Sequence, residues 1–265
     1  MLKIHTGTLL ITIAVVLGGA LTLLALCGWK LLGSRSEDET PLALAITEVR
    51  VVGGGSGNVE IRPGAIVRVN LHRDIRYLIN RPGITYHVEG TVLYIDTAPD
   101  RFCVVSYVVD VPEGVRVSGE LGSGELRLAG VSEVDFKDGS GRIEVNGASG
   151  MVRLETGSGG IILNGVTGDI TAKSSSGSIT GRELQSTNIN ATTRSGGISL
   201  DLVTQSNVNA RTSSGDVNLT VPDDRYRINT KVSSGSTHIK VVNDPASVHH
   251  LDLYTDSGDI IVAPR

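Results

Sequence analysis

The chain has 265 residues, 40% of them hydrophobic but only 3% aromatic, with 33 glycines. That length admits one large domain or two small ones, and the composition builds a core of thin aliphatic layers rather than an aromatic-rich centre. The net charge is −4 and the basic residues are scattered, which argues against nucleic acid, a partner that needs clustered Lys and Arg.

From Thr6 to Trp29 there is no charged residue. As a helix this run would span roughly 36 Å, enough for the hydrocarbon layer. A cleavable signal has an apolar region of only about 7–15 residues, and no A-x-A site follows. Residues 1–30 are therefore predicted to be an uncleaved single-pass anchor, with Trp29 and Lys30 at the interface. The alternative is a lipoprotein signal cut before Cys27. Leu24-Ala25-Leu26-Cys27-Gly28 is similar to a bacterial lipidation box, although Leu26 is larger than the residue such a box wants. Lys3 lies on one side and Lys30 and Arg35 on the other, so charge leaves the orientation open. Cys27 and Cys103 form no intradomain disulfide and leave the redox compartment open. Cys103 reads as a packed thiol.

Residues 31–45 read as a polar linker, most of it the run Gly33 to Pro41. Residues 46–115 read as a less regular β segment. Ile46 to Val52, Asn58 to Ile61 and Ala65 to Leu71 alternate like strands, and Ile84 to Val88 and Val92 to Asp96 flank a hairpin-like Glu89-Gly90. Phe102 to Val111 is a continuous apolar strand ending at Pro112-Glu113-Gly114. This segment is expected to cap a repetitive body and cover its open sheet edge.

That body, residues 116–265, repeats one phrase eight times. Its Ser-Gly pairs are Ser123-Gly124, Ser140-Gly141, Ser158-Gly159, Ser176-Gly177, Ser195-Gly196, Ser214-Gly215, Ser234-Gly235 and Ser257-Gly258, spaced 17 to 23 residues apart. A fixed period of about 19 marks a stacked supersecondary unit. Three residues after each serine come Leu126, Ile143, Ile161, Ile179, Ile198, Val217, Thr237 and Ile260. The fifth position is again aliphatic except for Gly181, and the residues between are mostly polar. That is a strand with one face inward. Ser-Gly supplies the turn before it, since glycine takes φ > 0 at little cost. A second strand lies midway, with inward pairs Val134/Phe136, Val152/Leu154, Ile170/Ala172, Ile189/Ala191 and Val208/Ala210. The alanines predict a narrower section in the middle. Beside them Lys137, Glu155, Lys173, Thr192 and Arg211 form an outward row, whose first three members make a charge ladder if the coils stack in register. The reading is an all-β, parallel β-solenoid of two strands per ~19-residue coil, preceded by one transmembrane helix. An antiparallel meander with a nine-residue half-period is the alternative.

Towards the C-terminus the period lengthens through Val221 to Tyr226 and Asn243 to His250. Asp223, Asp224, Arg225, Tyr226, His249 and His250 are the candidate interaction residues, because solenoid insertions often mark a binding face. Loops also simply tolerate length.

The run from Cys103 to Gly114, the Ser-Gly-x-aliphatic repeats after it, Val221-Pro222 and the ending Ser257 to Val262 together resemble the bacterial putative-adhesin family. The resemblance covers roughly residues 46–265. It implies a parallel β-solenoid displayed outside the cytoplasmic membrane, with an N-terminal anchor common among members. It also implies a sensing or scaffolding role beside adhesion, since some relatives are encoded next to envelope-stress regulators.

No catalytic constellation is predicted. The positions two after each serine hold Asp216 and Asp259, expected two coils or roughly 10 Å apart, without the paired carboxylates that glycoside cleavage needs. Asp169, Asp216 and Asp259 follow glycines in turns, but calcium nonapeptide solenoids need aspartate in successive turns. These aspartates read as bonding their own backbone. His238 with His249 and His250 could be assembled into a metal site only if adjacent histidines pointed together, which an extended segment prevents. No metal, cofactor or catalytic residue is therefore assigned. Two functions stay open, with a polysaccharide-active enzyme third. One is a membrane-anchored interaction, adhesion or scaffold module meeting envelope polymer or another protein. The other is an accessory sensor subunit of an envelope-stress response.

Overall fold

The computed structural model describes residues 33–42, 45–64 and 69–265. The predicted anchor, Thr6 to Trp29, and Cys27 within it lie outside the described residues, as does part of the strand expected from Ala65. No helix among the described residues is long and apolar enough to cross a membrane.

Every element among the described residues is a strand. The N-terminal third holds β1 (Ser34–Leu42), β2 (Glu48–Val52), β3 (Val59–Pro63), β4 (Val69–Tyr77), β5 (Tyr86–Glu89), β6 (Val92–Asp96) and β7 (Cys103–Val111). The regular body holds β8 (Arg116–Leu121), β9 (Leu126–Val131), β10 (Val134–Asp138), β11 (Ile143–Ala148), β12 (Val152–Thr156), β13 (Ile161–Asn164), β14 (Ile170–Ser174) and β15 (Ile179–Leu184). It continues with β16 (Asn188–Thr193), β17 (Ile198–Leu202), β18 (Asn207–Ser214) and β19 (Val217–Val221). Last come β20 (Arg225–Ser234), β21 (Thr237–Ile239), β22 (Val242–Asn243), β23 (His250–Ser257) and β24 (Ile260–Pro264).

The strands form two sheets. One runs β1-β4-β7-β3-β9-β11-β13-β15-β17-β19-β24-β21, and the other β22-β20-β23-β18-β16-β14-β12-β10-β8-β2-β6-β5. Each coil of the body gives one strand to each sheet, and neighbouring coils pair in parallel. Leu126, Ile143, Ile161, Ile179, Ile198 and Val217 therefore stack directly on one another. The parallel solenoid is the architecture, and the meander is excluded. Ten two-strand rungs at the ~4.8 Å strand spacing make a rod about 43 Å long. Phe136 and the alanines Ala172, Ala191 and Ala210 are all buried between the sheets. Lys137, Glu155, Lys173, Thr192 and Arg211 lie in register on the outside as expected, with Lys137 and Glu155 4.0 Å apart.

The order of rungs in space is not their order in sequence. Strands β2 and β3 sit between β6–β7 and β8–β9, and at the far end β23 and β24 sit between β18–β19 and β20–β21. Asp216 and Asp259 are consequently neighbours, not two coils apart, through the pairing of Val217 with Ile260.

Glycine in the Ser-Gly phrase is required chiefly by close stacking, which corrects the turn argument. Only Gly215, Gly235 and Gly258 of the eight have positive φ. A Cβ on Gly159 would lie 1.6 Å from the Gly141 carbonyl oxygen, and one on Gly141 would lie 1.7 Å from that of Gly124. The column continues through Gly177, Gly196, Gly215, Gly258 and Gly235, each on the carbonyl of its spatial neighbour.

Beside it runs a buried polar column that periodicity of apolar residues did not reveal. Two residues before the serine stand Asp138, Thr156, Ser174, Thr193, Thr212 and Thr255, all buried. The five hydroxyls donate to Gly141, Gly159, Gly177, Gly196 and Gly215 carbonyls at 2.9–3.3 Å. They satisfy backbone acceptors that the tight turn would otherwise leave orphaned.

Residues 31–45 are not a linker over most of their length. β1 pairs antiparallel with β4 from Ser34↔Tyr77 to Leu42↔Val69, because its alternate charges find partners across the sheet. Arg35 Nε donates to Asp74 at 2.9 Å, and Asp38 accepts from Arg73 at 2.7 Å and from Arg81. Strands β1, β4 and β5 run antiparallel to their neighbours and close this end of the stack. Buried Tyr107 and Thr85 lock the closure. The Tyr107 hydroxyl lies 2.6 Å from the Thr85 carbonyl and 2.9 Å from that of Asp96, and burial holds its pKa far above the usual range.

Candidate functional site

Outward side chains at the same position in successive rungs form straight columns, so the faces of the rod inherit the sequence one residue per rung. On the sheet containing β8 to β18, the N-terminal rungs carry ion pairs. Glu48 and Arg50 are 2.5 Å apart, and Arg116 pairs with Glu133. Farther along, the same face turns to amides. Asn188 Nδ2 donates to Asp169 at 3.1 Å, and Asn207 Nδ2 to Asn188 Oδ1 at 3.1 Å. The His250 backbone N–H then donates to Asn207 Oδ1 at 3.2 Å. One hydrogen-bonded chain thus crosses four rungs, β14, β16, β18 and β23.

The next column over is Thr171, Asn190, Asn209, Asp252 and Asn229 in register. Asn229 donates to Asp252 at 2.7 Å, and Arg211 to Asn209 at 2.9 Å. Asn190 is exposed. These columns, with Met151, Arg153 and His250 at the rim, line a shallow depression of about 300 Å³. Beyond it Tyr254 stands on the same face with Lys231 Nζ 5.6 Å from its ring centroid. The arrangement offers amide donors and acceptors at a repeat of one rung and an aromatic ring at its end, a surface suited to a long polyhydroxylated chain.

The candidate loop residues separate. Tyr226 is fully buried, its hydroxyl donating to the Pro222 carbonyl at 3.1 Å and its pKa pushed up to about 12 by burial and then by Asp224 and Asp223. It is a core residue and not an interaction residue, because β20 turns it inward beneath the β19–β20 connection. Asp223 is exposed. Asp224 accepts from Gln205 and from the Arg225 N–H. Arg225 approaches Asp244 to 3.6 Å. His249 lies in the turn before β23, its N–H on Ser247 Oγ, and only His250 joins the amide face. His238 is on the other sheet, so the three histidines do not converge. No cluster of three or more His, Cys, Asp or Glu that could hold a metal occurs among the described residues.

The turn aspartates bond the neighbouring rung and not their own backbone. Asp216 Oδ1 accepts the Asp259 N–H at 2.9 Å, and Asp259 Oδ1 that of Ser236 at 2.8 Å. Asp169 does the same for Asn188. Cys103 is buried at the start of β7, and burial raises its thiol pKa. The amide face escaped the sequence reading because Asn188, Asn190, Asn207 and Asn209 are alternate residues of two strands. The signal that could have found it was the recurrence of Asn-x-Asn one period apart.

No curated protein matches the chain. It is similar to a crystal structure named putative adhesin from Parabacteroides distasonis, with 15% identity, a TM-score of 0.55, and coverage of 86% of this chain and 97% of that one. It is also similar to a putative adhesin structure from Bacteroides fragilis, with 11% identity, a TM-score of 0.50, and coverage of 88% and 99%. At such identity the likeness establishes the fold alone. The Toastrack DUF4097 family matches residues 108–263, which is more than half of the sequence and spans the whole run of stacked glycines from Gly124 onward. By that match the chain belongs to the Toastrack DUF4097 family.

Proposed function

We propose that this protein is a membrane-anchored, extracytoplasmic, non-enzymatic interaction module whose amide face contacts envelope polymer. The observation that carries the reading is the hydrogen-bonded Asp169–Asn188–Asn207–His250 chain beside Asn190 and Asn209. A polymer of regularly spaced hydroxyls meets regularly spaced amides there, and each hydrogen bond is worth about 0.5–1.5 kcal/mol. Asp169, Asp216 and Asp259 hold backbone N–H groups of a neighbouring rung, a structural duty. The uncharged run from Thr6 to Trp29 supplies the anchor in this reading.

The test is co-sedimentation of the detergent-solubilised full chain with purified bacterial cell-wall sacculi. Binding is expected, and Asn190→Ala with Asn209→Ala together should weaken it about tenfold, two lost hydrogen bonds. No binding by the parent protein, or equal binding by the double variant, overturns the role given to this face.

A further inference from the structure

The closed end of the rod presents apolar side chains to solvent. In the connection from β4 to β5, Leu78 is 49%, Ile79 65% and Ile84 78% exposed, and Phe102 beside them is 47% exposed. The Leu78 N–H donates to the Phe102 carbonyl at 3.1 Å, so the two side chains belong to one edge. Three large apolar residues on one connection between the sheets, with Phe102 on the β6–β7 connection hydrogen-bonded to it, are what a monomeric surface avoids unless something covers them. Arginines flank them. Arg76 has its side chain 71% exposed and Arg81 44%, and Arg101 is exposed next to Phe102.

The chain enters the described rod at this same spot. Ser34 pairs with Tyr77, and a Cβ on Gly33 would touch Leu78 Cδ2 at 3.7 Å. Only Lys30, Leu31 and Leu32 separate Gly33 from Trp29, the last residue of the uncharged run. The four Cα–Cα steps from Trp29 to Gly33 reach at most about 14 Å even when extended. If that run spans a bilayer, the apolar edge cannot be far from the headgroups.

We infer that the edge formed by Leu78, Ile79, Ile84 and Phe102 docks into the membrane surface and sets the closed end of the rod on the bilayer. This rests on the anchoring part of the reading above. Apolar side chains with basic neighbours partition into the headgroup boundary, and the arginines add attraction to anionic lipid. The opposite end, where Val248 is 80% exposed, then projects away from the membrane.

The full chain is reconstituted into phosphatidylcholine–phosphatidylglycerol vesicles with an environment-sensitive fluorescent side chain at position 79 or, separately, at position 248. Expected at 79 are blue-shifted emission, quenching by lipids bearing a nitroxide near the headgroup, and protection from aqueous iodide; at 248 the pattern is reversed. Emission at 79 that stays open to iodide, in protein that floats with the vesicles, overturns the docking while leaving the anchor intact. Protein that does not float overturns the anchor, and the docking with it.

Discussion

At Asp138 the buried hydroxyl column is entered by a carboxyl. Its Oδ1 accepts the Ser140 and Gly141 N–H groups at 3.0 and 2.8 Å, but its buried Oδ2 has no partner. The Gly124 carbonyl, to which a hydroxyl here would donate, faces that same oxygen around the point a Gly141 Cβ would occupy. Burial raises the Asp138 pKa against the opposing pull of the two N–H groups. A carboxyl raised in the folded state contributes stability that is full below its unfolded value, about 3.9, and is lost as pH rises through the folded value. Asp138→Asn puts a donor towards Gly124 and removes the titration. Denaturant melts should show it about 1–2 kcal/mol more stable than the parent at pH 7, a gap that closes as pH falls below 4. A constant gap across pH would show that Asp138 does not titrate differently in the two states. The glycine column gives a second measurement. Gly159→Ala should cost about 3 kcal/mol or more, since its Cβ meets backbone. Gly165→Ala, at φ +60° with open space around it, should cost only about 1–2 kcal/mol. Equal midpoint shifts would refute stacking as the reason for glycine in the repeat.

Single elements show how far the sequence could be read. Strand positions, inward faces and parallel register in β9 to β19 were legible, because a period-2 pattern recurring at a fixed interval leaves one way to stack. Gly181, the exception at the fifth position, has its reason in a bulge. Leu184 swings into the space that a Gly181 Cβ would need, 2.5 Å from Leu184 Cδ1, with Glu183 at φ 52° to allow it. Nothing local in Gly181 foretells that. β1 has the sequence of a linker because its strand pattern is built of charges, Arg35, Asp38 and their neighbours, whose partners Asp74, Arg73 and Arg81 lie some 35 to 43 residues away. The displaced rung was equally hidden. β20–β21 and β23–β24 carry the same Ser-Gly phrase, and either could rest on β18–β19. A chain ending at Val248 should therefore seat β20–β21 directly on β18–β19. Spin labels at Ser140 and Lys231 would come about 5 Å closer, one strand spacing. An unchanged distance would mean that β20–β21 holds its place without the rung beneath it.

For the molecule as a whole, the two ends differ in kind. The closed end finishes in antiparallel strands that a parallel stack cannot extend. The other finishes in β21 and β22, and β22 covers β20 only at Arg225 and Tyr226; Ile239 there is 37% exposed, and Lys231 stands on the part of β20 still able to pair, a charge of the sort that discourages such pairing. The charged and amide zones of one face follow this same axis, so position along the rod carries chemical identity. The exchanged rungs have a consequence for biosynthesis. A chain made from the N-terminus at about 5–20 residues per second can lay down β8 to β19 in the order of synthesis, but not the rungs at either extremity. β2–β3 waits for β8–β9 to cover its second side, and β20–β21 is complete before the rung that belongs beneath it has been made. Only when Ile260 to Pro264 are free can the coil of β23 and β24 take its interior place, so residues made after β20–β21 finish the assembly from within.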